Sequence, residues 1–109
     1  SFALLWAAKN GNESTARISI RYGANPDLKD DHSSTPLSYA ASEGHEAIVK
    51  LLLNMGGVDP NSKDNNGWTP LFSAAARGHE AIVNLLLNMD GVDPNSSTDN
   101  GVTPLSKAA

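Results

Sequence analysis

The chain has no cysteine, and therefore no disulfide framework, no thiolate metal cage and no cysteine nucleophile. That composition is compatible with a reducing, intracellular setting. A basic cluster is also missing. Eight Lys and Arg against twelve Asp and Glu leave a formal charge of -4, which removes the electrostatic footprint of nucleic-acid or anionic-lipid binding. Long apolar runs are absent too: residues 48–53 and 82–87 are the longest candidates, far short of the roughly 18 residues a membrane helix needs. No glycine is followed by the Lys-Ser/Thr pair that closes a phosphate-binding loop, so no nucleotide cofactor is expected. The triplets Asn12-Glu13-Ser14 and Asn95-Ser96-Ser97 would be glycosylation acceptors only in a secreted protein and are read as chance.

What the chain does have is repetition. Residues 44–62, GHEAIVKLLLNMGGVDPNS, return 34 positions later at residues 78–96, with only Lys50 to Asn84 and Gly56 to Asp90 changed. The untouched positions are mostly apolar, so what recurs is a packing unit. A fixed period of this size is the mark of a solenoid, in which each unit buries its apolar face on its neighbours.

The local signals define two helices per unit. Thr35 and Thr69 can each cap a helix by accepting from backbone N–H groups, and Pro36 and Pro70 fit the first helical position, where a missing N–H costs nothing. Thr103-Pro104 repeats that start. Ala40, Ala41, Ala74 and Ala75 let neighbouring helices approach, and Gly44 and Gly78 supply the left-handed residue that ends each first helix. The second helices place Ala47, Ile48, Leu51 and Leu52, and likewise Ala81, Ile82, Leu85 and Leu86, on one face, widened by Val49, Leu53, Val83 and Leu87. At about nine residues each is marginal alone, so stacking must hold it. Pro60 and Pro94 then keep the chain extended into polar hairpins over residues 61–68 and 95–102.

These submotifs resemble the ankyrin repeat: a Thr-Pro-Leu start, an Ala-Ala pair, a Gly-His turn, an aliphatic second helix and an Asp/Asn-rich hairpin, kept in order through two full repeats and parts of two others. The GHEAIVxLLLN and GVDPN wording is similar to that of long ankyrin arrays in filamentous-fungal proteins. The resemblance implies an all-α fold of helix-turn-helix repeats with β-hairpin loops, an ankyrin-like solenoid divided into a divergent first repeat at residues 1–29, repeats at 30–63 and 64–97, and a truncated repeat at 98–109. The first unit has Gly11-Asn12 in place of Gly-His and a hairpin one residue shorter. Beginning at Ser1 without Met or a signal-peptide pattern and ending within a repeat, the chain reads as an excerpt of a longer polypeptide.

Where the sequence departs from the family pattern, it predicts local differences. Leu5, Ser38, Phe72 and Ser106 follow the helix start where many ankyrin repeats have His, so His-mediated bonding between repeats is expected to be absent, and Phe72 to pack instead. Ser33 stands where Gly67 and Gly101 stand, and Thr98 where Asp30 and Asp64 stand, which predicts turns that differ in detail.

Chemistry is hard to place here. His45 and His79, on repeats about 8–10 Å apart, are too far separated to share one zinc and are read as turn residues. His32, beside Asp30 and Asp31, is open to three readings: a solvated charge, a partner contact or a weak cation site. No Ser lies in a nucleophile turn, and the loop Asp residues have a turn-forming role. No catalytic residue, metal or cofactor is therefore expected, and the chain is read as not an enzyme.

The resemblance instead implies a concave face of hairpin tips and first helices that binds a partner protein. Carried onto this sequence, it selects Trp68, Tyr39 and Arg77 as anchors, because aromatics and Arg dominate interface hot spots. Glu43, Asn65, Asn66, Asp31, His32, Lys63, Asp99 and Asn100 join them. Packing within its own hairpin is the competing role for Trp68. Trp6 lies on the same line, but core or cap packing is the favoured role for a residue of the end unit. The function read from this is a protein-protein interaction module for an unidentified partner, with no nucleic acid and no membrane insertion. The alternative is a structural spacer or a regulatory segment of a larger multidomain protein. A monomer is expected in the parent context, with fraying or end-to-end association where a stack lacks polar caps.

Overall fold

The computed structural model describes residues 2–55 and 58–89. They form six helices, α1 (Phe2–Asn10), α2 (Glu13–Arg21), α3 (Pro36–Glu43), α4 (Glu46–Leu53), α5 (Pro70–Ala76) and α6 (Glu80–Leu87). Consecutive helices pair as α1–α2, α3–α4 and α5–α6. The first helices pack in one row, α1 on α3 and α3 on α5, and the second helices in another, α2 on α4 and α4 on α6.

The helix starts follow the capping logic. Thr35 Oγ1 accepts from the Ser38 N–H at 3.1 Å and Thr69 Oγ1 from the Phe72 N–H at 3.2 Å, and each helix opens on its proline. At the far end Gly44 and Gly78 take φ of 81° and 77°, and the following N–H groups of His45 and His79 close back onto the carbonyls of Ala40 and Ala74. Between the first helices, Ala7, Ala8, Ala40, Ala41, Ala74 and Ala75 are all buried, which lets the row close up.

The apolar face of the second helices is rotated from its expected position. Ile48, Val49 and Leu52 are buried, whereas Ala47 is exposed and Leu51 only half-buried; Ile82, Val83 and Leu86 repeat this, with Ala81 exposed. Each second helix lies between its own first helix and the adjoining repeats. That surround covers the ridge through Val49 and Leu52 and leaves the i, i+4 ridge through Ala47 and Leu51 at the solvent edge.

Among the described residues there is no β-strand. Where hairpins are expected, the loops over residues 30–34 and 64–68 are tight turns, each closed by two backbone bonds: Asp30 N–H to Ser34 and Ser33 N–H to Asp30, then Asp64 N–H to Trp68 and Gly67 N–H to Asp64; the hairpin expected over residues 95–102 lies outside the described residues. One backbone bond, Asn65 N–H to the His32 carbonyl at 3.0 Å, and the Asn65 amide on the Asp31 carbonyl at 3.1 Å join successive tips. Such isolated bonds do not make a ladder.

The turns at Ser33 and Gly67 have the same form, where a difference was expected. Ser33 adopts a φ of 58°, the left-handed region that Gly67 occupies at 77°, because the same bond pattern forces it there. A side chain in that region costs about 1–2 kcal/mol. Ser33→Gly is therefore expected to stabilise the stack by about 1 kcal/mol, read as a raised urea midpoint at unchanged slope.

At the first repeat, Phe2 and Tyr22 are 77% and 85% exposed, and Trp6 and Ile18 are about half exposed. Trp6 is thus outside the core, where core packing is one of the roles favoured for it, and it shares a groove with Leu5, Lys9 and Tyr39.

Candidate functional site

Each loop is shaped by an aspartate at its base. Asp30 Oδ1 accepts from the His32 and Ser34 N–H groups at 2.9 and 3.0 Å, and Asp64 Oδ1 accepts from Asn66 and Trp68 at 2.9 and 3.0 Å. This fixes where the tips, His32 and Asn66 among them, stand over the first helices. The Asp30 carboxylate has a second partner in the Tyr39 hydroxyl, which donates to Oδ2 and ties the loop to α3.

That pairing sets the ionisation of both groups. Burial pushes the Tyr39 phenol up to about 12, and its bond to the Asp30 carboxylate adds to the rise. For Asp30, burial alone would raise the carboxyl. The Tyr39 hydroxyl and the Ser34 and His32 N–H groups outweigh it together and hold the carboxyl below its ordinary 3.8. The signs follow from linkage. Tyr39 contributes stability that is complete below its ordinary 10.0 and is lost as pH rises through about 12. Asp30 contributes stability that is complete above 3.8 and is lost as pH falls through its lowered value. In a Tyr22→Phe background, tyrosinate absorbance is expected to report the Tyr39 titration near 12. Adding Asp30→Asn should bring it part of the way down, since burial remains.

Histidines do bond between repeats, which corrects the sequence-based expectation. His45 Nε2 donates to the Lys9 carbonyl of the first repeat at 3.2 Å, and His79 Nε2 donates to the Ser42 carbonyl of the second at 3.0 Å. Each ring lies over the turn glycine of the preceding repeat, Gly11 or Gly44, where a Cβ would stand 2.6 or 2.8 Å from its Cε1 atom. The bonding histidine is thus the one that opens the second helix. In the first repeat that position is Asn12, which instead caps its own helix by accepting from the Thr15 N–H.

Tips and first helices enclose a groove of about 460 Å³ between the second and third repeats. Seven of the sequence-selected residues line it: His32, Tyr39, Glu43, Asn65, Asn66, Trp68 and Arg77. Buried Ser34, Ser38 and Ser73 also face it. Trp68 is half-buried and meets Phe72 edge to face, ring centres 4.6 Å apart at 67°; Phe72 itself is buried, as expected of a packing residue. Arg77 reaches Glu43 at 4.0 Å with both side chains about half exposed, a contact worth at most about 1 kcal/mol. The Arg77 guanidinium is therefore only loosely held.

A second groove, between the first and second repeats, is lined by Lys9, Lys29, Asp31, His32 and Tyr39, with Trp6 beside it. Lys9 lies over the Tyr39 ring, 5.8 Å from its centre. Lys63 is exposed and lines neither groove, and Asp99 and Asn100 lie outside the described residues. Among the described residues no group of three or more His, Cys, Asp or Glu is placed to hold a metal. Asn65 spends its backbone N–H and its amide on the preceding tip, so it shapes the surface as much as it lines it.

Sequence reasoning gave Asp30 and Asp64 a turn role and missed the reach of Asp30 to the Tyr39 hydroxyl on the first helix. The recurring Asp nine residues before Tyr39 and Ser73 was the available signal.

Successive helix pairs in two rows, Thr-Pro starts, left-handed Gly turns and stacked loop tips define a helical repeat array. A family model for ankyrin repeats, with three copies, matches residues 4–98 and 56–109, and the chain belongs to the ankyrin repeat family. Members of this family are generally protein-protein interaction modules on a non-catalytic fold. No helix among the described residues is long and apolar enough to cross a membrane.

Proposed function

We propose that this chain binds a partner protein along the concave face of loop tips and first helices, centred on the groove between the second and third repeats. The observation that carries this reading is the convergence of a half-buried Trp68, Tyr39 and a loosely paired Arg77 on one groove. These residue types supply large contact area with a polar end, the usual composition of interface hot spots. Their positions are set in advance by capped helices and aspartate-braced turns, so little freedom is lost on association. The absence of cysteine suits a partner met inside the cell.

Affinity capture from a lysate of the source organism tests the assignment, comparing the wild-type array with a Trp68→Ala, Arg77→Ala double variant whose fold is checked by circular dichroism. A protein retained by the first and lost from the second is the expected result. Equal capture by both would place the contact elsewhere, and capture by neither would favour a spacer between other domains.

A further inference from the structure

We propose that the groove beside Ser73 is a socket for a tyrosine side chain of the partner, whose hydroxyl donates to Asp64 Oδ2. The inference rests on the concave-face reading above and adds the chemistry of its central contact.

The argument comes from comparing two adjacent repeats position by position. Asp30 and Asp64 stand at the same place, fourteen residues before the turn glycines Gly44 and Gly78. Their Oδ1 atoms make the same pair of backbone bonds. In the second repeat Oδ2 receives the phenol of Tyr39, five residues before the turn glycine. In the third repeat that position is Ser73, whose side chain ends far short of a phenol, and Asp64 Oδ2 receives no hydrogen bond among the described residues. Asp64 and Ser73 both line the groove of about 460 Å³. The open space thus lies where its neighbour repeat carries a phenol, beside a carboxylate oxygen without a donor.

The surroundings favour a phenol over a guanidinium. Oδ1 is already committed to two N–H groups, so the one remaining oxygen suits a single O–H donor better than the two-pronged fork of arginine. Of the groove's other charged groups, Glu43 already faces Arg77 at 4.0 Å, so no second carboxylate stands free to complete a guanidinium's fork. Trp68, edge-on to Phe72 and still partly exposed, offers a surface for another ring.

The test uses p-cresol, the tyrosine side chain alone, with toluene and ethylguanidinium as comparisons, each titrated at millimolar concentration into the labelled chain and followed by amide and indole NMR shifts. Expected are shifts at the Trp68 indole and at Asn66 and Ser73 with p-cresol, about tenfold weaker binding in Asp64→Asn, and none in Ser73→Tyr, where the introduced ring fills the space. If Ser73→Tyr does not fold, Asp64→Asn alone decides. Equal shifts with toluene, stronger shifts with ethylguanidinium, or no shift with p-cresol would each overturn the socket. Those outcomes are independent of lysate capture: a partner lost from the Trp68, Arg77 variant with no p-cresol binding leaves the face standing and removes the tyrosine.

Discussion

Leu52→Ala is expected to destabilise the array by about 3–5 kcal/mol, because a fully buried leucine leaves both its transfer energy and an unfilled cavity behind. The effect is largest here because α4 is the middle helix of the second row, packed against α2 on one side and α6 on the other. Against a total stability of about 5–15 kcal/mol, the loss removes much of the margin. The first repeat carries Ser19 at the corresponding position, half-buried on α2, where no further second helix lies outside it among the described residues. Ser19→Ala should accordingly change stability by no more than about 0.5 kcal/mol. Urea denaturation of both variants checks the contrast, and a Leu52→Ala cost close to that of Ser19→Ala would show that the repeats do not share one core.

Gly44→Ala should cost about 2–3 kcal/mol, the sum of two separate penalties. At φ 81° any Cβ is strained, by about 1–2 kcal/mol. The added methyl would also stand 2.8 Å from His79 Cε1 and 3.0 Å from Nδ1, so the imidazole must swing away from the Ser42 carbonyl it bonds at 3.0 Å. Gly78→Ala is the control, with φ 77° and nothing among the described residues within 4 Å of the added carbon, and it should show the backbone penalty alone. The difference, about 1 kcal/mol, isolates the bond between repeats. It should vanish when both glycine variants are made in a His79→Ala background, which a double-mutant cycle measures.

Much of this fold was legible because its signals are local and recur. Thr-Pro starts, Gly turns and the Ile-Val-Leu second helices each depend on residues within one or two turns of chain, and repetition at 34 positions confirmed each reading against its copy. The grooves were legible less directly. Family resemblance selected Tyr39, Trp68 and Arg77, but the bonds that join loop to helix and repeat to repeat link residues 9 to 37 positions apart and follow from stacking distance. The histidine clasp was misread for this reason. The family pattern points to the position after the helix start, occupied by Ser38 and Phe72, whereas the bonding ring sits at the start of the next helix and reaches a carbonyl at the end of the preceding repeat's first helix. The Ser33 turn was misread because residue type was weighed without the bond pattern that overrides it.

By itself the sequence determined the unit: two short helices, their caps and turns, the period and the class of protein they make, since capping, helix periodicity and left-handed turns act within one repeat. Only the tertiary structure decided which faces of the second helices are buried, which histidines clasp neighbouring repeats, and that Asp30 has its phenol where Asp64 does not. Those outcomes depend on what an adjoining repeat places a few ångströms away. That neighbour lies some thirty residues off in the chain, beyond the reach of any local propensity.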